Sequence, residues 1–215
     1  MDWQFMLEQI PDYLSAIGVM LAVGGAAVFL ALLIGGVFAS LLQDTSPLIR
    51  AVICSYIEVA RNTPLIIQLF LLYFGLPAVG VLLPPELCAV MALTFMGGAY
   101  FTEVFRAGFS ALSEQQSQAS YALGLSRFQT FRYILWPQVW QKQLPATAAT
   151  ACFLLRETTV VSAITVAEVM YTTTNGIAIY YMTYEFLTLM TISCVLVFVP
   201  LSIALNQLEH RWRHD

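Results

Sequence analysis

Five apolar runs, each long enough to cross a lipid bilayer as a helix, dominate this sequence of 215 residues. A transmembrane helix needs about 20 mostly apolar residues to span the roughly 30 Å hydrocarbon core. Closed barrels also span membranes, but these runs lack the short alternating pattern of barrel strands. The sequence therefore predicts an all-α membrane protein, one transmembrane domain over residues 1–215, with five transmembrane helices at residues 14–42, 51–76, 86–111, 144–165 and 184–208.

Composition excludes the other classes of chain. Hydrophobic residues make up 59% of the sequence and charged residues 10%, whereas an average soluble domain is about 25% charged. A water-soluble globule of this composition would expose apolar surface almost everywhere, and a disordered chain needs low hydrophobicity and high net charge. The formal net charge of −4 also provides no basic field for nucleic acid, so we expect no nucleic-acid partner.

The positions of Lys and Arg predict the direction of the five helices. The N-terminal segment and the segments 77–85 and 166–183, predicted to be loops, contain none. The cations outside the apolar runs are Arg50, Arg127, Arg132, Lys142, Arg211 and Arg213. By the positive-inside rule, the N-terminus lies outside and the C-terminus inside. The acidic N-terminal segment lacks the positive region of a signal peptide, so we expect the first run to remain as a helix.

The third loop, residues 112–143, is the longest segment predicted on the cytoplasmic side. Its sequence favours helix, with a division at Gly124 and a stop at Pro137. A small apolar stripe at helical spacing lies among Gln and Ser residues and consists of Ala119, Ala122 and Leu123. The pattern fits either a short amphipathic helix that enters a partner's groove or a solvated connector with some helicity.

Charged residues within the second run predict a functional site, because a charge at the bilayer centre costs about 2.5–3.5 kcal/mol on insertion scales. Glu58 and Arg61 are three residues apart and share a helix face. Pro64 follows, kinks the helix and frees the backbone carbonyl four residues before it. We expect Arg61, Asn62 and Thr63, with Glu58 as a further carboxylate, to lie beside this unpaired backbone at a water-filled pathway. The alternative is an ion pair between Glu58 and Arg61 that only holds helices together.

The third run repeats the three-residue spacing with Glu103 and Arg106 near its cytoplasmic end. We interpret these two as a structural pair that anchors the loop beginning a few residues later. Gly97 and Gly98, one to two turns away, predict a close contact between helices.

The fourth run places Arg156, Glu157 and Thr158 near its middle. Adjacent residues point about 100° apart on a helix, so Arg156 and Glu157 do not both face one cavity. We expect Glu157, with Thr158, to face the pathway and to bind an α-ammonium group, while Arg61 binds an α-carboxylate. The alternative is a structural salt bridge between Arg61 and Glu157.

The third loop also follows a longer pattern. The pattern consists of Gln118-Ala119-Ser120, three residues, Gly124, nine residues and Ile134-Leu135-Trp136-Pro137. This spacing resembles the EAA loop of the polar amino acid permease family, the membrane subunits of type I ATP-binding-cassette (ABC) importers, which reads Glu-Ala-Ala, three residues, Gly, nine residues and Ile-x-Leu-Pro. Gln118, Ser120 and Trp136 depart from the usual residues. The segments 58–65, 73–77, 99–108 and 155–161 resemble the same family in the same order.

The resemblance implies a permease subunit that works by alternating access coupled to a separate ATPase. Two such subunits, identical or similar, would pack around one pathway in the cytoplasmic (inner) membrane of a bacterium as multi-pass proteins. Two ABC ATPase subunits would bind the ATP, so no cofactor is expected on this chain, and an extracytoplasmic binding protein would deliver the polar amino acid. The residues that the resemblance assigns to ATPase coupling are Gln118, Ala119, Ser120, Gly124, Ile134 and Pro137. The chain has no GxxxxGK[ST] loop of its own.

Two other classes of function compete with this one. An intramembrane enzyme needs a nucleophile with a base or a metal site, but His210 and His214 are both in the tail and no HExxH or GxSxG motif is present. The four cysteines sit singly in apolar runs, which indicates buried hydrophobes and not metal ligands. An ion-coupled amino acid carrier or channel subunit is the remaining alternative, although carriers of that class usually have inverted repeats and more spans.

Overall fold

Helices and helical turns make up most of the part of the chain that the structure describes. The computed structural model describes residues 2–212, so Arg213 and His214 of the tail lie outside the described residues. The α-helices of the described range are α1 Trp3–Leu41, α2 Pro47–Asn62, α3 Leu65–Phe70, α4 Pro85–Ser110, α5 Glu114–Ala122, α6 Arg127–Thr130, α7 Trp136–Glu157, α8 Val169–Tyr180 and α9 Thr183–Trp212. Wider and tighter helical turns connect several of them, namely π-turns at Leu71–Gly75 and Phe131–Leu135 and 3-10 turns at Leu76–Val79 and Thr158–Ile164. The prediction of an all-α protein is confirmed for these residues.

Three helices in the described range are long and apolar enough to cross a membrane: α1, α4 and the Thr183–Leu205 part of α9. Two further spans are possible as bent pairs. Pro47–Asn62 and Leu65–Val79 meet at 103°, and Arg127–Ile164 and Val169–Tyr180 meet at 41°. The chain therefore has three straight spans, and five if each bent pair crosses the membrane once.

The first helix is longer than the sequence predicts, because it begins at Trp3 instead of residue 14. Asp2 caps it, since its carboxylate accepts hydrogen bonds from the backbone N–H groups of Gln4 and Phe5 at 3.1 Å. The added turns also bury apolar surface against α8 and α9, where Met6, Tyr13, Ala16, Val169, Phe186 and Leu189 form one cluster. Tertiary packing thus extends the helix through Pro11.

The second span is broken and not merely kinked at Pro64, which corrects the predicted single helix over 51–76. Thr63 adopts an extended conformation, with φ −102° and ψ 124°. The ring of a proline disfavours the helical conformation in the residue before it, so α2 ends at Asn62 and a new helix starts after Pro64. The break turns the chain by 103°.

The predicted stop at Pro137 is wrong. Pro137 lies in the first turn of α7, and a π-turn at Phe131–Leu135 joins this helix to α6. A proline ring clashes with the carbonyl group four residues earlier, and the wider π-turn accommodates such a ring without ending the helix. The fourth span is therefore part of a helix that already begins within the loop predicted at 112–143.

The segment 166–183, predicted to be a loop, contains α8. Thr165 has a left-handed conformation, with φ 64°, and ends the preceding 3-10 turn. The Glu168 side chain is fully buried and accepts hydrogen bonds from the N–H groups of Met170 and Tyr171 at 2.9 and 2.8 Å. A carboxylate at this position caps the first turn of a helix, so α8 forms immediately after the break.

The helix α4 is the centre of the fold, since it packs against α1, α2 and α7. A side chain at Gly97 would collide with Leu154 of α7 and with Ala31 of α1. The predicted close helix contact at this glycine is confirmed. The arrangement places the polar parts of α2, α4 and α7 beside one another.

Candidate functional site

Three charged residues of α2 and α4 form one cluster near the break in the second span. Glu103 accepts two hydrogen bonds from Arg106, at 2.8 Å to Nε and 2.6 Å to a terminal nitrogen. The same carboxylate lies 3.7 Å from a terminal nitrogen of Arg61. The predicted pair of Glu103 and Arg106 is confirmed, but it also holds Arg61, and the cluster of two cations and one anion carries a net positive charge.

The alternative ion pair between Glu58 and Arg61 does not form. Glu58 instead accepts a hydrogen bond from the Asn62 amide at 2.8 Å, and the Glu58 backbone carbonyl accepts one from the same nitrogen at 2.8 Å. The Asn62 side chain thus caps the end of α2. Arg61 remains directed toward α4.

A path of aromatic rings leads from Arg61 to α7. The Arg61 guanidinium carbon lies 5.3 Å from the centre of the Tyr100 ring, a cation–π geometry. The Tyr100 ring contacts the Phe153 ring edge to face, with 5.3 Å between ring centres. Glu157 follows Phe153 by four residues and shares its face of α7. Arg61 and the face of α7 that carries Glu157 are therefore connected through this pair of rings.

Glu157 is half-buried, and its carboxylate has no hydrogen-bond or ion-pair partner among the residues that the structure describes. The salt bridge between Arg61 and Glu157 that the sequence left open is absent, since Arg61 pairs with Glu103. Arg156 faces another way, and its guanidinium carbon lies 5.6 Å from the centre of the Phe198 ring on α9. A half-buried carboxylate without a partner is costly, and a cationic group on a substrate would offset that cost.

Two predicted site residues face other surroundings. Thr158 is fully buried, donates its hydroxyl to the Leu155 carbonyl at 2.7 Å and packs against Gly24 of α1. Thr63 lines a separate, mostly apolar cavity of about 760 Å³ between α1, α2, α3 and α4. Neither hydroxyl lies with Arg61 on the aromatic path.

Sequence reasoning missed Gln68, which holds the broken span together. Gln68 is 7% exposed, and its amide nitrogen donates to the carbonyl groups of Ala60 and Thr63, both at 3.0 Å. These carbonyls lie at the end of α2, where the helix no longer supplies donors. The signal was present, because an uncharged amide four residues after Pro64 in an apolar run needs a polar partner.

The loop helix α5 lies apart from the charged cluster. Gly124 has φ +81°, its N–H donates to the Tyr121 carbonyl at 2.9 Å, and the Leu125 N–H donates to the Ser120 carbonyl at 3.1 Å. This pair of bonds is a Schellman motif, which ends the helix at a left-handed glycine. The side chains of Gln118, Ala119, Ala122 and Leu123 are exposed, and Leu123 is 82% exposed.

The last two residues of the loop pattern belong to the start of the fourth span. Ile134 lies in the π-turn before α7, and its carbonyl accepts a hydrogen bond from the Gln138 amide at 2.8 Å. Pro137 follows in the first turn of α7. The pattern thus links a short exposed helix directly to the helix that carries Glu157.

Comparisons with known proteins identify the family and the fold of this chain. The model of the family described as the inner membrane component of binding-protein-dependent transport systems matches residues 31–214. The probable amino-acid permease protein YxeN of Bacillus subtilis (strain 168) is 32% identical over 174 residues, 78% of this chain and 76% of that protein. The arginine transport system permease protein ArtQ of the same organism is 30% identical over 171 residues, 79% of this chain and 78% of that protein. A crystal structure of an amino acid ABC transporter with histidines has a TM-score of 0.91 and 29% identity, and covers 98% of this chain and 99% of its own.

Proposed function

This chain belongs to the family of inner membrane components of binding-protein-dependent transport systems, and we propose that it carries a polar amino acid across the cytoplasmic membrane of a bacterium. It is an integral membrane subunit of an ABC importer and not an enzyme. Transport systems of this family include an ATPase and a substrate-binding protein. Family membership supports the importer over the ion-coupled carrier or channel.

The observation that carries the substrate proposal is the separation of Arg61 from Glu157. Arg61 lies over the Tyr100 ring, Glu157 follows the Phe153 ring by one helical turn of α7, and the two opposite charges do not pair with each other. An amino acid carries both a carboxylate and an ammonium group, and in this proposal Arg61 binds the first and Glu157 binds the second through charge-assisted hydrogen bonds. YxeN and ArtQ are named as permeases for amino acids and for arginine, which supports this substrate class.

The coupling proposal assigns α5 to the ATPase. Residues Gln118, Ala119 and Ser120 of this helix precede Gly124, and the exposed apolar side chains of Ala122 and Leu123 offer a surface for a groove on the ATPase. Movement of α5 reaches the pathway through the α6–α7 segment, because Ile134 lies in the π-turn that leads into α7, Pro137 lies in the first turn of α7, and α7 ends at Glu157. In this proposal all the described helices form one transmembrane domain with the N-terminus outside, the C-terminus inside and α5 in the cytoplasm.

The assembly in this proposal contains two permease subunits, identical or similar, with two ATPase subunits and one extracytoplasmic binding protein. The test is reconstitution of these components in vesicles, with radiolabelled amino acids presented on the binding protein and ATP on the ATPase side. We expect uptake that requires both ATP and the binding protein. Uptake that follows an imposed ion gradient without the ATPase would overturn the proposal.

A further inference from the structure

A groove of about 1160 Å³ runs between the C-terminal half of α1 and the segment from α5 to α7. Its walls along the span are apolar and aromatic and include Phe29, Leu33, Trp136 and Trp140. Its polar lining residues lie at or just after the end of α1, on α5, and on α6 and the turn after it. The charged ones are Asp44, Arg127 and Arg132. Residues of the proposed substrate site do not line this groove.

The charged end of the groove is cationic. Arg127 is paired with Asp44 at 2.6 Å. Arg132 forms no hydrogen bond or ion pair with any residue that the structure describes. Thr130 is 1% exposed, and its hydroxyl also lacks a hydrogen-bond partner in the described part of the chain. The Arg132 guanidinium therefore stands exposed at the groove without an internal partner, and the unpaired Thr130 hydroxyl is buried in the groove wall.

We propose that this groove binds an anionic phospholipid, whose acyl chains lie along α1 and α7 and whose phosphate is held by Arg132 beside Arg127. The proposal rests on the orientation given above, which places this end of the groove at the cytoplasmic face. Phe29 and Leu33 belong to a helix that is apolar enough to cross the membrane, so the groove extends to the depth of the acyl chains. Basic pockets between transmembrane helices bind the headgroups of anionic lipids, and tryptophan side chains favour the interface between membrane and water.

Lipid chemistry fits this groove better than a free phosphate or a protein surface. A free phosphate has no acyl chain, so it leaves the long apolar wall exposed. An ATPase surface reaches the cytoplasmic end, but it does not reach Phe29 at the depth of the membrane core. One cation near an anionic headgroup contributes about 1 kcal/mol, which corresponds to about a fivefold preference over a zwitterionic lipid.

Fluorescence quenching by brominated lipids tests the proposal on the full chain. Trp3 and Trp212 are replaced by Phe, and 5-hydroxytryptophan is incorporated at Trp136 and Trp140 so that their emission is separable from that of an added ATPase. The variant is reconstituted in two kinds of vesicle. In the first, phosphatidylcholine is mixed with brominated phosphatidylglycerol, and in the second, the brominated lipid is phosphatidylcholine. We expect about fivefold stronger binding of the brominated phosphatidylglycerol at the groove.

The control variants separate the site from the general surface charge. Arg132→Gln removes the preference, whereas Lys142→Gln, which removes a cation that does not line the groove, leaves it intact. Inorganic phosphate does not compete with the lipid, and the preference persists after the ATPase is added.

Equal quenching by the two lipids, competition by inorganic phosphate alone, or loss of quenching by both lipids on addition of the ATPase would each overturn the lipid site. The readout is lipid binding, so it is independent of whether the transport proposal holds.

Discussion

Gln68 shows how a single side chain maintains the bent span. Its amide nitrogen donates to the carbonyl groups of Ala60 and Thr63 across the break at Pro64, and the residue is almost completely buried. In a lipid environment the freed carbonyls have no water to accept from, so the side chain supplies the donors that the helix lost. Arg61 lies between the two bound carbonyls in sequence, so Gln68 holds the backbone segment that carries it.

Replacing Gln68 by Leu should destabilise the protein. The change keeps the approximate volume but leaves the buried Ala60 carbonyl and the half-buried Thr63 carbonyl without this donor. A buried unsatisfied carbonyl costs about 1–3 kcal/mol. We expect a clear fall in the melting temperature of the purified protein. Gln43→Leu is the matched control, because the exposed Gln43 side chain donates to a single carbonyl, that of Ala39, one turn before it. Equal falls for the two variants would contradict this role of Gln68.

Gly124, after the end of the helix α5, is the glycine of the loop pattern, and its backbone conformation is one that favours glycine. Gly124 has φ +81°, and an added Cβ atom there would meet nothing within 4 Å. A substitution at this position therefore acts only through the backbone conformation. Gly80, at φ +85° after the turn Leu76–Val79, has the same conformation and the same open surroundings.

Gly124→Ala should weaken coupling between ATP hydrolysis and transport. An L-residue in the left-handed conformation costs about 1–2 kcal/mol, so the last turn of α5 should fray and its apolar stripe should lose its shape. We expect fewer substrate molecules imported per ATP hydrolysed in reconstituted vesicles. Gly80→Ala imposes the same strain outside the proposed ATPase contact and should leave this ratio unchanged; similar losses in both variants would count against the coupling role of α5.

Sequence patterns predict the straight elements better than the broken ones. The runs that became α4 and α9 are delimited to within a few residues, since apolar length alone determines them. Pro137 misled the prediction because a π-turn accommodates it, and Glu168 was overlooked because its role as a cap depends on a break at Thr165 that no local pattern marks. Within the candidate site, the sequence indicates Arg61 and Glu157 because a charged side chain inside a bilayer is energetically costly. It does not indicate that Arg61 pairs with Glu103 on another helix, because hydrophobic periodicity does not encode which helices meet.

For the molecule as a whole, the proposed orientation makes opposite ends accessible from opposite sides of the membrane. Leu123 at the end of α5 is 82% exposed, and Leu82 in the loop before α4 is 81% exposed. We expect Leu123→Cys, in a background without other cysteines, to react with a membrane-impermeant maleimide only from the cytoplasmic side. Leu82→Cys should react only from outside. Labelling of both from the same side would contradict an N-terminus outside and a cytoplasmic α5.

The central claim is that this subunit recognises an amino acid through an unpaired carboxylate, Glu157, opposite Arg61. Glu157→Gln keeps the shape of the side chain and removes the charge that holds the ammonium group. A charge-assisted hydrogen bond contributes roughly 1.5–3 kcal/mol, so the apparent affinity for the substrate should fall about 10- to 100-fold. Glu86→Gln, in the first turn of α4, is the matched control.

The most direct measurement is ATP-driven uptake by vesicles that contain the parent protein, Glu157→Gln or Glu86→Gln. The transported amino acid competes in each case with its analogue that lacks the α-amino group. The account predicts that the parent and Glu86→Gln strongly prefer the amino acid over the analogue. It predicts that Glu157→Gln loses this preference while its melting temperature stays near that of the parent. An undiminished preference in the Glu157→Gln variant would contradict the account.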